Sequence, residues 1–157
     1  VPTFPNAKYW ISYENWKLAN NPNFKDNASF REDDWKILAE NGMVSLVHKY
    51  ETFIEGIEIH VTYGHTEGLM HPIIRDNNQT IFYGSDIFPL AAHIPIPWVM
   101  AYDIQPVVTM KEKEHLLSKM FKNEWILFLE HDPIIQACTI NWDGKKYEIN
   151  KKVNISE

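Results

Sequence analysis

Hydrophobic and polar residues follow both the two-residue period of strands and the longer period of helices along this chain, which predicts a mixed α/β domain. Residues 57–63 alternate apolar Ile57, Ile59 and Val61 with polar positions, as in a strand with one buried face. Further strands are predicted at 44–50, 72–74, 80–83, 125–129, 137–142 and 146–149. Asn-rich 76–78 and Asp143-Gly144 predict hairpin turns within this set.

Three helices are predicted in addition to these strands. A short helix is expected at 14–19. Ser29 with Glu32, and Thr109 with Glu112, have the capping-box spacing, which predicts helices at 30–41 and from 109 to about 123. Their expected buried residues are Phe30, Trp35, Ile37 and Leu38 in the first, and Met110, Leu116, Leu117 and Met120 in the second. The long Pro-rich loop at 84–108 is expected to be functional.

Composition indicates a globular protein. The chain has 157 residues, of which 45% are hydrophobic, so it fits one compact domain or part of a larger one. Its one cysteine, Cys138, excludes an internal disulfide and favours a reducing, cytoplasmic location. The most apolar stretch, 81–100, contains Asp86, His93 and three prolines and cannot be a membrane helix.

The net charge and the first residues of the chain limit the partners and the targeting signals that can be expected. The net charge of −6 opposes binding to nucleic acid or to anionic lipid. The chain opens on Val1 without a basic-then-apolar leader, so no signal peptide is predicted. We expect it to begin within a longer protein.

Three apolar runs end in side chains that can bind a metal. Residues 59–66 end at His65, residues 81–86 end at Asp86, and residues 125–133 end around His131. Imidazole with carboxylate suits Zn²⁺, Mn²⁺ or Fe²⁺, whereas Ca²⁺ prefers oxygen ligands alone. Glycines at 64 and 84 should let the backbone turn tightly before the ligand. By spacing alone the signal is weak, because a lone histidine after a strand is more often structural.

The order of these segments resembles the metallo-β-lactamase superfamily. Residues 64–68 (GHTEG), 82–88 (FYGSDIF) and 129–132 (LEHD) are similar to its third, fourth and fifth metal-ligand motifs. Residues 3–9 (TFPNAKY) and 14–16 (ENW) resemble the segment after the first motif in lactonase-like bacterial hydrolases. Residues 93–103 (HIPIPWVMAYD) resemble a block in bacterial members of the superfamily. The resemblance covers almost the whole chain.

This resemblance implies a fold, a cofactor and roles for particular residues. His65 would bind one metal, His131 the other, and Asp86 would bridge both as the catalytic carboxylate. The cofactor would be two Zn²⁺ ions in the complete site, with Mn²⁺ or Fe²⁺ as alternatives. The reaction would be attack of a metal-bound hydroxide on an ester or lactone carbonyl. His93 and Tyr102, in the Pro-rich loop, are the candidate substrate-binding residues.

The sequence departs from the family pattern at three places. Ser85 lies between the usual Gly and Asp, Glu67 replaces a proline, and Leu69 replaces a histidine. The first motif, His-x-His-x-Asp-His, does not occur in the chain. Residues 1–157 are therefore expected to form the C-terminal half of an αββα sandwich, with a mixed sheet and helices on one face.

Two functions remain open at this point. One is a metal-dependent hydrolase of small-molecule esters or lactones, for which this chain supplies the third to fifth motifs and needs the N-terminal half of the fold or a second copy. On that reading, the isolated chain is expected to be inactive. The alternative is a non-catalytic binding or assembly module that keeps the fold. His71 and Cys138 are interpreted as structural, and no nucleic acid or membrane partner is expected.

Overall fold

A mixed seven-stranded sheet dominates the computed structural model, which describes residues 1–48, 52–76 and 78–155. Its strands lie side by side in chain order, and neighbours are antiparallel except for one parallel pair, β6 with β7. The strands are β3 (Thr52–Ile54), β4 (Ile57–Thr62), β5 (Leu69–Arg75), β6 (Thr80–Tyr83), β7 (Ile126–Phe128), β8 (Ala137–Trp142) and β9 (Tyr147–Val153). The parallel pair needs a crossover, and helix α3 (Pro106–Asn123) provides it.

A smaller unit precedes this sheet. Strands β1 (Tyr9–Ser12) and β2 (Val44–Val47) pair in parallel, with helices α1 (Tyr13–Asn20) and α2 (Glu32–Glu40) between them in sequence. Ser12 caps α1, since its hydroxyl accepts from the backbone N–H of Asn15 at 3.1 Å. The same hydroxyl donates to the carbonyl of Gly68 at 2.6 Å. The small unit is thereby fixed to the loop that follows His65.

Two apolar clusters lie on opposite faces of the large sheet. Leu116, Leu117 and Met120 of α3 pack with residues of the central strands, including Phe82 and Leu127. The second cluster comprises Val47, Ile59 and Val61, with Tyr63 and Met70 partly buried against it. Because Ile73 pairs with Glu58, it shares a face with the even-numbered residues of β4, while Ile59 and Val61 point to the other face.

The predicted α/β fold is confirmed, and most of its elements lie where the hydrophobic pattern placed them. The hairpins β5–β6 and β8–β9 form as predicted. Asn77 of the first turn, and residues 49–50 of the strand predicted at 44–50, lie outside the described residues. The predicted inward face of α3 is confirmed at Leu116, Leu117 and Met120, whereas Met110 is only partly buried.

Both predicted capping boxes are wrong. Helix α2 begins at Glu32 with Arg31 as its N-cap and no side-chain cap, and its apolar residues are only half-buried. Helix α3 begins three residues earlier than predicted, at Pro106, a residue suited to the first helical turn because its missing N–H needs no partner there. Glu112 is therefore free to bond elsewhere, and it reaches the loop before His65.

None of the helices within the described ranges combines the length and the apolar character that a bilayer crossing requires. The longest, α3, has 18 residues and is amphipathic.

Candidate metal centre

The three predicted ligands meet because their strands run in the same direction. Strand β4 is antiparallel to β5, and β5 is antiparallel to β6, so β4 and β6 are parallel to each other. Strand β7 is parallel to β6. The carboxyl ends of all three strands therefore lie at one edge of the sheet, where open α/β sheets bind ligands. His65, Asp86 and His131 follow these three ends.

Asp86 lies between the two imidazoles. Its Oδ2 is 3.7 Å from Nε2 of His65, and its Oδ1 is 3.3 Å from Nε2 of His131. Both distances exceed the roughly 2.7–3.2 Å of an N–H···O hydrogen bond. Two ligand atoms that share one tetrahedral Zn²⁺ at about 2.0–2.1 Å are about 3.3 Å apart. The spacing thus matches two atoms that share a metal, closely at His131 and more loosely at His65.

The donors form two pairs rather than one cluster. Each carboxylate oxygen of Asp86 faces a different histidine, as a carboxylate that bridged two metal ions would. In the part of the chain that the structure describes, no group of three or more His, Cys, Asp or Glu side chains could hold a single ion. A mononuclear site made by His65, Asp86 and His131 around one ion is therefore not present. The donor chemistry fits Zn²⁺, with further ligands required at each position.

The ring of His65 is oriented by a buried carboxylate. Nδ1 of His65 is 2.8 Å from Oδ1 of Asp103, which is almost completely buried. A carboxylate accepts hydrogen bonds, so Nδ1 carries the proton and donates. Nε2, which faces Asp86, is then the nitrogen that keeps a free lone pair in the neutral ring. Metal-binding histidines commonly have such a partner on their second nitrogen.

The backbone before His65 is held by helix α3. The carboxylate of Glu112 accepts from the N–H groups of Tyr63 at 2.7 Å and Gly64 at 3.0 Å. The pKa of Glu112 is raised by burial, against the opposing effect of these two hydrogen bonds. The N–H groups of Ile104 and Gln105 donate to the carbonyls of His65 and Gly64. Four hydrogen bonds from two segments therefore fix this turn.

The glycines before the ligands allow close approach, not an unusual backbone angle. A Cβ on Gly64 would collide with the backbone nitrogen of Thr109, and one on Gly84 would lie 2.8 Å from the carbonyl oxygen of Phe128. The predicted reason, a tight turn at these glycines, needs correction. The left-handed conformation falls instead on Ser85, at φ 44°, in the 3₁₀ turn Ser85–Ile87. The residue that departs from the family pattern thus turns the chain into Asp86.

The surroundings of His131 are more open. Its side chain is 55% exposed, against 15% for His65. Its backbone N–H donates to the carbonyl of Pro89 at 3.0 Å, and the carboxylate of Asp132 holds the loops on both sides by accepting from Ala91 and from Ile134 and Ile135. Oε1 of Glu130 is 4.0 Å from Nε2 of His131.

Tyr83 adds a hydroxyl to this side of the site. Burial raises its pKa to about 12, and a hydrogen bond with Glu130 acts in the same direction. Tyr83 is the last residue of β6, three positions before Asp86. Glu130 is thereby held beside His131, although Glu130 was not singled out from the sequence.

Two pockets open on either side of the three residues. The larger, about 440 Å³, is the more polar of the two and is called the polar pocket; it meets His65 and Asp86, and its wall includes Asn15, Lys25 and Thr66. The other, about 370 Å³, is mainly apolar and meets His131; Pro89, Leu90 and Val99 are part of its wall. The larger pocket also draws on Asp26, Ser29, Phe30 and Leu69, and the smaller on His93 and Ala101. Met100 and Tyr102 line both.

The predicted substrate-binding residues, His93 and Tyr102, both lie in pocket walls. Tyr102 is 73% exposed. Nδ1 of His93 is buried and has no hydrogen-bond partner among the described residues, and the same is true of Oγ1 of Thr66 in the larger pocket. Burial lowers the pKa of His93, and nearby Lys113 adds to the effect. Its ring is therefore favoured in the neutral form.

His71 is fully buried within the sheet, and His60 is half-buried beside it. Nε2 of His71 is 2.7 Å from the hydroxyl of Thr62, and Nδ1 is 3.1 Å from the carbonyl of Tyr83. Burial lowers the pKa of His71 to about 3 and that of His60 to about 4. His71 stacks on Phe82 at 5.2 Å. This agrees with the interpretation of His71 as structural, and Cys138 is likewise fully buried in the core.

Comparison with solved structures identifies the fold. A probable metal-dependent hydrolase from Staphylococcus aureus superposes with a TM-score of 0.81 at 23% identity, over 96% of this chain and 55% of that chain. AidC, a dizinc quorum-quenching lactonase in complex with a product, gives 0.77 at 18% identity over 99% and 58%. The hydrolase AbOPH of the β-lactamase superfamily gives 0.81 at 19% identity over 98% and 58%.

These likenesses show that the chain has the metallo-β-lactamase fold. It spans a little over half the length of the structures it matches, as the predicted C-terminal half does. No protein-family model matches the sequence, and no curated protein matches it either.

Proposed function

We propose that this chain supplies the C-terminal part of a metal-dependent hydrolase that acts on small-molecule esters or lactones. His65 and His131 would each bind one metal ion, and Asp86 would bind both. The observation that supports this most is the placement of the two histidines on opposite oxygens of one carboxylate. The metal-dependent hydrolases and lactonases among the structures of the same fold support the same reaction class.

Each residue of the chain has a separate task in this proposal. Asp103 fixes the ring of His65 so that Nε2 faces Asp86, and Glu112 holds the backbone on which that ring stands. Asp86 sets the separation of the two positions. Zn²⁺ bound there would supply a Lewis acid that polarises the carbonyl and makes water acidic enough to be a nucleophile near neutral pH. Mn²⁺ and Fe²⁺ suit the same nitrogen and oxygen donors.

The pocket walls favour a substrate with a polar end and an apolar end. The mainly apolar pocket beside His131 suits an acyl or alkyl group, and the polar pocket beside His65 suits hydrogen-bonding groups. Tyr102 lies at their junction, where its hydroxyl would contact a substrate that occupies both. His93 in its neutral form would present an N–H to the apolar pocket. The net charge of −6 disfavours a polyanionic substrate.

The sheet face opposite α3 carries a row of apolar side chains. Four isoleucines pair across four adjacent strands, in the order Ile57, Ile74, Ile81 and Ile126. Ile74 is 45% exposed, and a row of this kind at a sheet surface is typical of a face that packs against another layer. We propose that the N-terminal half of the same fold, or a second copy of this chain, covers it. Residues 1–157 would then be the C-terminal part of one domain.

A cytoplasmic location is proposed on chemical grounds. The chain has one thiol, Cys138, and burial raises its pKa to about 12. Such a thiol stabilises the fold as a small apolar side chain, and the chain has no pair of cysteines that an oxidising compartment could link.

The test combines metal content with hydrolysis. The full-length gene product should bind two equivalents of Zn²⁺ and hydrolyse a panel of lactones and aliphatic esters. His65→Ala and Asp86→Ala should lose both metal and activity, whereas His115→Ala, on the exposed side of α3, should keep both. Undiminished metal content and activity in His65→Ala and Asp86→Ala would refute the proposal. Absence of metal and hydrolysis in the wild type would favour the alternative, a non-catalytic binding or assembly module.

A further inference from the structure

The loop at residues 95–103, here called the pocket loop, forms a wall that both pockets share. Met100 and Tyr102 line the two pockets, and Val99 and Ala101 line the apolar one. The pocket loop is described throughout and contains neither helix nor strand. Its own backbone closes two turns, from Trp98 to Pro95 at 3.0 Å and from Asp103 to Met100 at 3.1 Å. A segment without regular structure keeps one shape only if its other polar groups are held from outside.

Lys113 holds the first part of the pocket loop from within the protein. Its side chain is fully buried, and Nζ donates to the carbonyls of Pro95 at 2.9 Å, Ile96 at 3.2 Å and Trp98 at 2.7 Å. An ammonium group has three N–H donors, and three carbonyls use them all. Burial lowers the pKa of Lys113 to about 8, with Asp103 opposing, so the ammonium form persists at neutral pH.

Lys25 holds the other end of the same loop. Its Nζ donates to the carbonyls of Ala101 at 3.1 Å and Asp103 at 2.8 Å. Lys25 lies in the segment between α1 and α2, whereas Lys113 belongs to α3. The two amines therefore bind the pocket loop from different parts of the fold. Lys25 also lines the polar pocket. Neither lysine has a part in the metal centre proposed above.

The carbonyls that these two lysines bind belong to residues at, or next to, the metal centre and the pocket wall. Asp103, whose backbone carbonyl accepts from Lys25, carries the carboxylate that orients His65. Trp98, whose carbonyl accepts from Lys113, directly precedes Val99 in the wall of the apolar pocket. A buried amine costs free energy to desolvate, and its loss would remove a donor from three carbonyls, of which that of Pro95 also accepts from the N–H of Trp98. Such an arrangement fixes a backbone shape rather than merely filling space.

We propose that Lys113 and Lys25 are positioning residues that clip the two ends of the pocket loop and so set the shape of both substrate pockets, an inference that rests on the proposed hydrolase function. Lys113 fixes the wall of the apolar pocket. Lys25 fixes the wall of the polar pocket and the backbone of Asp103. Both act through the loop and not on the reacting atoms.

The experiment is amide hydrogen exchange on the full-length gene product, followed by steady-state kinetics. Lys113→Met keeps the length of the side chain and removes its donors, Lys113→Arg keeps a charged donor, and Lys25→Met releases the other end. Lys111→Met is the matched control, because Lys111 is an exposed lysine on the same helix. In Lys113→Met, exchange at Ile96 and 98–103 should rise by about 10-fold or more while the sheet stays protected.

The two ends should respond separately. Lys25→Met should raise exchange mainly at 101–103, and Lys113→Arg should restore part of the protection. If Lys113→Met loses protection throughout the sheet, that variant has unfolded. Exchange in Lys25→Met and Lys113→Arg then tests the proposal in its place. Loop exchange equal to that of Lys111→Met in every variant that folds would overturn the proposal.

The kinetic measurement adds a prediction that a purely structural role would not make. KM for esters with long acyl chains should rise about 10-fold in Lys113→Met, with kcat changed less than about threefold, because the wall shapes binding and not the chemical step. Equal changes for short and long esters would contradict the role in specificity. Exchange does not depend on catalysis, so a wild type without hydrolytic activity would refute the proposed function and leave the loop clips tested by exchange alone.

Discussion

The two sides of Asp86 differ in how firmly their histidines are held. His65 is 15% exposed and has Asp103 on its second nitrogen, and the turn beneath it is bonded to Glu112 and to the backbone at Ile104. His131 is 55% exposed, and the carboxylates of Asp86 and Glu130 are 3.3 and 4.0 Å from the same nitrogen, Nε2. One side is fixed in advance by this chain, and the other is open.

The two histidines therefore differ in how far each is ordered before a metal binds. A ligand oriented by packing and by a second hydrogen bond loses little freedom when it binds a metal. An exposed ligand must be ordered at the moment of binding, or by groups that the described residues do not supply. We therefore expect the position at His65 to bind its metal more tightly than the position at His131. Three predictions at the metal centre test that expectation, in order of decreasing expected effect, and a fourth concerns a buried histidine outside the centre.

Loss of the shared carboxylate should have the largest effect, because it acts on both sides at once. In Asp86→Asn the volume is kept and the charge is lost, so activity should fall by more than about 100-fold, beyond the range of indirect partners of a ligand. Metal content measured by mass spectrometry should fall at both positions. Asp76→Asn, at an exposed turn, is the control. Retention of two tightly bound metal equivalents would mean that Asp86 does not bridge them.

Loss of the carboxylate that orients His65 should weaken metal binding only at the position of His65. Asp103→Asn removes the charge that fixes the proton on Nδ1 of His65, and affinity for the more tightly bound metal should fall about 10- to 100-fold. Competition with a chelator measures it for each equivalent. Asp26→Asn, a carboxylate in the same pocket without a bond to His65, is the matched variant. An equal loss in both variants would show that general charge, not orientation, matters.

The sequence predicted the ligands better than their supports. His65, Asp86 and His131 each follow an apolar strand, and that local signal is visible in the residue order. Asp103 is 38 residues from His65, and nothing local in the sequence ties it to that ring. The contact depends on how the loop folds back over the strand ends, which tertiary packing decides.

The capping boxes teach the same lesson for the helices. Thr109 and Glu112 have the right spacing, yet α3 begins at Pro106 and the carboxylate of Glu112 bonds to the turn before His65. A local motif predicts a helix in this region correctly but not the partner of its polar side chain. Lys113, which nothing in the local pattern distinguishes from the other charged residues of α3, is fully buried. A polar side chain that is buried because it bonds to backbone far away in the sequence leaves no trace in the hydrophobic periodicity of its own helix.

A third histidine, His71, is held even more completely than His65. His71 is fully buried with both ring nitrogens paired, and burial lowers its pKa to about 3. An unfolded chain takes up the proton near pH 6.5 and the folded one only near pH 3. The stability present above pH 6.5 is therefore lost as the pH falls, at about 1.4 kcal/mol per pH unit within that window.

Urea unfolding at several pH values between 6.5 and 4 measures this effect. His71→Asn should flatten the dependence by about one proton, while His115→Asn, an exposed histidine, should not. His60, with its pKa lowered to about 4, contributes to the same window and remains in both variants. If His71→Asn has the slope of the wild type, the ring is not a buried neutral group.

The smallest effect is expected on the open side, at the carboxylate next to His131. Glu130 lies 4.0 Å from the imidazole and bonds to Tyr83, so it does not fix the ring as Asp103 fixes that of His65. Glu130→Gln should lower metal affinity by less than the roughly 10-fold that marks the weaker end of effects from a ligand's partners. Tyr83→Phe separates loss of charge from loss of the hydrogen bond. A loss as large as that of Asp103→Asn would show that Glu130 orders His131 once metal is bound, and the two sides would then be equally constrained.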